Sequence, residues 1–220
     1  MILKNIFKLF YPTFCQSCKK LIEQDFIFCY DCSKKIKPLV SVFAKITDTK
    51  SIKVFAASEY KEPLRSLVLK KSYSDSLASK QLARLILQHT PIKDLEIDYI
   101  IPIALHWTRY AKRGYNQSYV MAKVLSKSLN VPVLDLLKRK RRTTFQSKLS
   151  SAQRQENVKN VFGLKLRYRN KALLKERLKD KNVLFVDDLY TTGATLKNSA
   201  KVIKNFGIKS FYAVVPCRVV

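Results

Sequence analysis

Residues 183–196 read VLFVDDLYTTGATL. Four apolar residues end in two adjacent carboxylates, Asp187 and Asp188. These lead through Leu189 into a turn made of Tyr190, Thr191, Thr192, Gly193, Ala194 and Thr195. The apolar run predicts a buried strand, and in an open α/β sheet ligands bind beyond the carboxyl ends of the strands. Backbone N–H groups at the start of a following helix hold phosphate, threonine hydroxyls add donors, and Gly193 lets the backbone come close. An acid pair beside such a nest repels phosphate alone. It fits a ligand with hydroxyls next to its phosphate, such as a ribose 5-phosphate whose 2- and 3-hydroxyls donate to the acids. A Mg²⁺ shared with a pyrophosphate eases the repulsion further. The competing reading makes Asp188 an acidic helix N-cap and nothing more.

A second constellation lies near the start. Cys15, Cys18, Cys29 and Cys32 form C-x2-C-x10-C-x2-C. Each C-x-x-C turn brings two thiolates to one ion, and four thiolates suit tetrahedral Zn²⁺. Four thiolates leave no open position for a water, so such a zinc is structural and does no chemistry. The alternative is two disulfides, which a reducing cytosol opposes. Many such knuckles carry glycine after the second cysteine of a pair; Lys19 and Ser33 stand there instead. Cys217, in the apolar stretch AVVPCRVV, is expected to be a core thiol.

These residues sit in a very basic chain. Its 220 residues hold 43 Lys and Arg against 16 Asp and Glu, a formal net charge of +27. That balance implies a polyanionic partner or an acidic surface, and a Lys-biased composition with solvated faces is the plain alternative. No apolar run approaches the ~20 residues that span a bilayer. The opening MILKNIFKLFYPTF mixes apolar residues with lysines and lacks a secretory cleavage pattern. It reads as a lead-in that packs on the domain, with weak contact at the inner membrane surface as the minority alternative. The expected location is cytoplasmic.

The elements that must position the acids and the cysteines follow from periodicity. Residues 1–38 are expected to form the metal module and 39–220 an α/β domain. Strands are predicted at 40–46 and 52–58, then a short helix starting at Pro63 with Leu64, Leu67 and Val68 on its apolar face. A longer helix begins near Asp75, with Leu77, Ala78, Leu82, Leu85 and Ile86 at helical spacing. A buried strand at 98–105 ends in a loop, a helix covers 114–129, and another strand covers 131–137. Residues 138–181 then hold sixteen basic and three acidic side chains. A strand at 182–189, a helix at 194–206 capped by Gly207 and a strand at 208–215 complete the chain. Strands alternating with helices predict a parallel sheet with helices on both faces.

The order apolar strand, D-D-x-x-T-T-G-x-T, helix resembles the phosphoribosyl pyrophosphate signature of type I phosphoribosyltransferases. Three further segments narrow the likeness. IIPIALHWTRYAKRGYNQS resembles the P-V-P-L-H-x-x-R-x-x-x-R-G-F-N-Q block of the ComF family, with Ala104 in place of the second proline and Tyr115 in place of the phenylalanine. Thr143, Gln146, Arg154, Asn157 and Phe162 match that family's T-x-x-Q…R-x-x-N…F block, and the C-x-x-C…C-x-x-C is shared. The likeness covers nearly the whole chain. It implies a zinc module joined to a phosphoribosyltransferase-like domain, in cytosolic competence factors linked to the uptake and handling of transforming DNA. A Mg²⁺-dependent transfer to a base or amine is the alternative activity, and the sequence offers no clear pocket for the acceptor.

The resemblance assigns roles residue by residue. Asp187 and Asp188 would bind the ribose hydroxyls and serve as the catalytic acids of any transferase. Tyr190, Thr191, Thr192, Gly193, Ala194 and Thr195 would cradle the 5-phosphate. Arg109 and Arg113, with the loop after Leu105, would meet the pyrophosphate, since guanidinium forks pair with phosphate oxygens. Three readings stay open: His106 as donor or as packing, Asn116 and Gln117 as ligands or helix caps, and Lys70, Lys71 and Tyr73 as diphosphate contacts or a solvated group. Residues 138–160 occupy the place of the lid in related transferases, with Thr143, Gln146 and Arg154 placed to seal the site. The lid is also the most basic stretch. Lys138, Arg139, Lys140, Arg141 and Arg142, with Phe145, Lys148 and Arg154, suit single-stranded DNA, whose phosphates meet cations while its bases stack. A solvated loop is the alternative. The zinc module could in addition dock a helicase or another DNA-uptake protein.

Overall fold

The computed structural model describes residues 13–23, 26–70, 76–140 and 161–220. A minimal hairpin pairs β1 (Thr13–Phe14) with β2 (Leu21–Ile22), and the short helix α1 (Tyr30–Ser33) follows. Next come β3 (Val42–Lys45), β4 (Ser51–Glu59), α2 (Leu64–Lys70), α3 (Ser76–His89) and β5 (Tyr99–Pro102). The chain continues through α4 (Trp107–Arg113), α5 (Gln117–Leu129), β6 (Leu137–Arg139) and β7 (Phe162–Leu164). It ends with α6 (Lys171–Leu178), β8 (Asn182–Val186), α7 (Ala194–Lys201) and β9 (Ser210–Arg218). Among the described residues no helix is long and apolar enough to cross a membrane.

The main sheet has the order β3-β4-β9-β8-β5. Its strands β4, β9, β8 and β5 run parallel, and β3 adds an antiparallel edge. Every residue of β8 is buried, as expected of a parallel strand covered on both faces. Its side chains alternate between two cores. Leu184 and Val186 join Leu82, Ile86, Met121 and Leu125 of α3 and α5. Val183 and Phe185 join Leu174, Leu178, Leu196 and Ala200 of α6 and α7 on the other face. This period of two fixes which core each side chain of β8 enters, and the parallel pairing with β5 and β9 puts the acid pair at the carboxyl edge of the sheet.

Several elements depart from the sequence reading, each for a physical reason. Residues 131–137 do not form a strand. Val133 makes a single parallel bridge to Ile100, through Ile100 N–H to the Pro132 carbonyl (3.0 Å) and Leu134 N–H to the Ile100 carbonyl (2.8 Å). The next rung would need an N–H from Pro102, which proline lacks, and the chain turns away. Leu137 instead opens β6, which pairs with β7 as a separate antiparallel ribbon. The supposed loop after Leu105 contains the helix α4, and α5 begins at Gln117, not at 114, because Gly114 (φ 76°) ends α4. Leu77 lies off the buried stripe of α3 and is 55% exposed. The basic stretch 138–160 does not start as a loop: Lys138 and Arg139 belong to β6, and Lys140 N–H extends the ribbon to the Val161 carbonyl (2.7 Å). The regular part of the helix at 194–206 stops at Lys201, and the last strand runs on to Arg218.

Lys71, Tyr73, Arg141, Arg142, Thr143, Phe145, Gln146, Lys148, Arg154 and Asn157 lie outside the described residues, as does nearly all of the opening stretch.

Candidate functional site

The acid pair emerges where β8 ends. Asp187 keeps its strand pairing through its N–H to the Val214 carbonyl (3.2 Å), and its Oδ1 accepts the N–H of Asp188 (2.8 Å). Asp187 is buried and Asp188 half-buried. The next turn is stitched to the end of β9. Tyr190 N–H donates to the Cys217 carbonyl, and Val219 N–H donates to the Tyr190 carbonyl, each at 2.9 Å. Thr191 and Thr192 are exposed at the tip. Gly193 adopts the left-handed conformation (φ 72°) and stands at the N-cap of α7 with no side chain to cap it. A Cβ there would lie 2.8 Å from Tyr190 Oη, so both conformation and space call for glycine. The first N–H groups of a helix have no intrahelical partner, and those of Ala194 and Thr195 follow directly on this turn.

Two of the expected arginines lie on α4. Arg109 is half-buried on α4, and Arg113 follows one turn later on the same helix, also half-buried. The helix is placed by its start. His106 is buried as its N-cap, with Nδ1 accepting the Thr108 N–H (3.3 Å) and lying 2.9 Å from Thr108 Oγ1. His106 also lies against Trp107, with ring centroids 5.8 Å apart. Asn116 caps α5 by accepting the Ser118 N–H (3.1 Å), while its amide donates to the Ile103 carbonyl (3.0 Å) and ties that cap to the end of β5. Of the open readings, the capping one is therefore realised for Asn116, and His106 combines capping with packing.

The residue that sequence reasoning placed differently is Arg139. In the run of five cations nothing distinguishes it, but β6 turns it inward. Its guanidinium lies over Phe162, 5.5 Å from the ring centroid. Burial pushes its pKa down and Arg109 adds to that, while Asp187 and Asp188 oppose the change. These couplings place Arg139, Arg109 and the acid pair in one field. The clue in the sequence was alternation: in a strand, Arg139 faces the side opposite to Lys138 and Lys140. Lys138 is half-buried and Lys140 exposed.

The cysteines form a second centre. The sulfurs of Cys15, Cys18, Cys29 and Cys32 all lie within 4.8 Å of one another, and those of Cys18 and Cys29 are 3.5 Å apart. Tetrahedral Zn–S bonds of about 2.3 Å put sulfurs about 3.8 Å apart, so the donor set can hold such an ion. Lys19 has φ 64°, the conformation for which glycine is usual after a C-x-x-C turn. Burial alone would raise the Cys15 thiol, but backbone hydrogen bonds from Cys29, Cys18 and Ser17 bring it down to about 6. Burial and the neighbouring thiols push Cys32 up to about 11. A bound cation takes the place of the protons on such a set.

Comparison with known proteins matches residues 115–219 to the phosphoribosyl transferase domain family, a span that includes Arg139, the acid pair and the turn. Competence protein F of Haemophilus influenzae (strain Rd) is 28% identical over 206 residues, covering 89% of this chain and 86% of that protein. The DNA utilization protein YhgH of Escherichia coli K12 is 29% identical over 174 residues, covering 76% of this chain and 72% of that one. Among solved structures, the Bacillus subtilis glutamine phosphoribosylpyrophosphate amidotransferase complexed with ADP and GMP superposes at TM-score 0.42 with 14% identity. That likeness covers 67% of this chain and 30% of the amidotransferase.

Proposed function

The chain is a member of the ComF family, and from that premise we propose that it is a competence-type factor that handles single-stranded DNA and binds phosphoribosyl pyrophosphate at the carboxyl edge of its sheet. The observation that carries the small-ligand half is Arg139, turned inward from β6 into electrostatic reach of Arg109 and of the Asp187–Asp188 pair that precedes the glycine turn. Cations and carboxylates in one pocket suit a ligand with both phosphates and hydroxyls. The 5-phosphate sits on the N–H groups of residues 193–195 and the hydroxyls of Thr191, Thr192 and Thr195, with Tyr190 closing the turn. The ribose hydroxyls donate to Asp187 and Asp188. Arg109, Arg113 and Arg139 take the pyrophosphate, so Arg139 is reassigned from the DNA strand to the small ligand. A Mg²⁺ held by the pyrophosphate at the acid pair supplies charge neutralisation there. Zn²⁺ on the four cysteines is structural. Lys138 and Lys140 remain on the DNA side, together with the cations that follow them in the sequence.

Calorimetric titration with phosphoribosyl pyrophosphate and Mg²⁺ tests the small-ligand half. Saturable binding is expected, at least tenfold weaker in the double variant Asp187→Asn, Asp188→Asn with unchanged circular dichroism. Absence of binding to the folded wild-type protein sinks it. The DNA half predicts that affinity for oligothymidine falls linearly in log–log form as salt rises, and a flat response counts against it.

A second reading is favoured by the same arginines. Guanidinium groups beside an acid pair can stabilise departing pyrophosphate while the carboxylates face a cationic sugar. Pyrophosphate release in the presence of a base or amine, lost in the double variant, would establish a phosphoribosyltransferase.

A further inference from the structure

Among the described residues, one part of the main sheet is left uncovered. Phe43 of β3, Lys53 of β4 and Tyr212 of β9 are direct register partners across three adjacent strands. Partners in register project from the same face, so the three make one row, ring–cation–ring. It lies on the face that α2 and α3 cover further along, where Phe55 is buried and the Tyr212 ring sits 6.5 Å from it. Below that point the cover stops: Phe43 is 67% exposed and Lys53 and Tyr212 are half-buried. The row borders a cavity of about 380 Å³, whose lining adds Lys50, Lys209 and Ser210 and contains no carboxylate. Lys50 is held in place by donating to the Lys204 carbonyl (3.0 Å), and Lys53 Nζ lies 5.4 Å from the Phe55 ring centroid. The nearest acid in the sequence is Asp48, exposed in the β3–β4 turn and outside the lining.

We infer that this open sheet face is a docking surface for single-stranded nucleic acid, separate from the phosphoribosyl pocket at the opposite edge of the sheet. The inference rests on the DNA-handling reading above and names its surface. Strands are about 4.8 Å apart, so Phe43 and Tyr212 stand about 10 Å apart with a cation between them. Unpaired bases stack on such rings whatever their sequence, because every base has a π-face. Lys53 and Lys209 meet the phosphates between the stacked bases, and hydroxyls such as Ser210 add donors. The row is rigid because all three strands are locked into one sheet. Duplex DNA does not fit it, since paired bases offer no free face to the rings. An anionic lipid surface would use the lysines but has no use for two spaced rings.

The experiment measures anisotropy of labelled oligothymidine with the full chain. Wild type, Phe43→Ala, Lys53→Ala and Phe43→Trp are compared, each checked for an unchanged circular dichroism spectrum. Phe43→Ala is expected to weaken binding about tenfold and Lys53→Ala several-fold. Phe43→Trp retains affinity and has its added emission quenched on binding, a signature that a merely structural role would not give. Wild-type affinity in a folded Phe43→Ala variant overturns the sheet-face assignment and leaves the DNA-handling reading standing. Failure of the wild type to bind overturns both. Vesicles of phosphatidylglycerol form a separate arm: a blue shift of the Phe43→Trp emission on vesicles, with no quenching by oligothymidine, overturns the assignment in favour of a membrane surface.

Discussion

Gly193 shows how little freedom the turn before α7 allows. Its positive φ costs a residue with a Cβ about 1–2 kcal/mol, and the added carbon would also press on Tyr190 Oη. Gly193→Ala is therefore expected to lower stability by about 1–2 kcal/mol in urea melts and to weaken phosphoribosyl pyrophosphate binding by more than tenfold in calorimetry. Adding Tyr190→Phe removes the hydroxyl contact but leaves two ring carbons 3.1 Å from the added Cβ and the positive φ, so the double variant should recover only part of the loss. At this scale the sequence was readable wherever chemistry and order coincide. The acid pair, the glycine and the cysteine quartet each announce themselves by type and spacing, and the structure brings each set together. Arg139 was not readable, because five consecutive cations look alike until a strand decides which of them faces inward. The same holds for Phe43 and Tyr212, which are 169 positions apart in the sequence and meet only through strand register.

At the scale of elements, what could be read tracked burial. β8, β9, α3 and α5 bury continuous apolar patterns, and the sequence located all four. The helix α4 buries none of its own residues, so it has no hydrophobic period to detect, and Gly114, which ends it, was read as the start of the next helix. The helix α6 was hidden inside the charge run, although Asn170 caps it by accepting the Leu173 N–H and Leu174 and Leu178 bury its inner face. The strand expected at 131–137 failed for the opposite reason: its residues are apolar, but Pro102 on the partner strand lacks the N–H it needs. Because α4 has no buried face, its cap at His106 does more of the work of holding Arg109. Replacing an N-cap by alanine costs about 0.5–2 kcal/mol locally, so His106→Ala should weaken phosphoribosyl pyrophosphate binding several-fold with little change in overall stability. His106→Asn supplies a good cap without an imidazole. Rescue by asparagine in the calorimeter identifies capping as the role; no rescue points to imidazole as a direct donor to the ligand.

The whole molecule is organised so that its four-cysteine cluster and its candidate site draw on connected packing. Cys15, Ile27, Phe28, Cys32 and Ile36 belong to the same buried cluster as Leu64, Leu67 and Leu82, and that cluster reaches Leu184 and Val186 just below the acid pair. A metal that fixes the four sulfurs therefore also fixes one wall of the core on which α3 and α5 rest. The minimal hairpin of β1 and β2, two residues a strand, has too little apolar surface to hold its shape alone. Without the metal, the buried thiols repack and the cluster loosens from that side inward. Removing metal with a chelator, or substituting Cys32→Ser, is expected to cost at least about 3 kcal/mol, which for a chain of this size lowers the thermal midpoint by roughly 6–12 °C. The helical circular dichroism signal, to which α3 and α5 contribute as the two longest described helices, should follow that shift as a single transition. An unchanged midpoint in the metal-stripped protein would mean that the cysteine centre is an appendage and that the packing joining it to the sheet contributes nothing measurable. Zinc returned to the stripped wild type should restore the midpoint, and the Cys32→Ser variant should not respond.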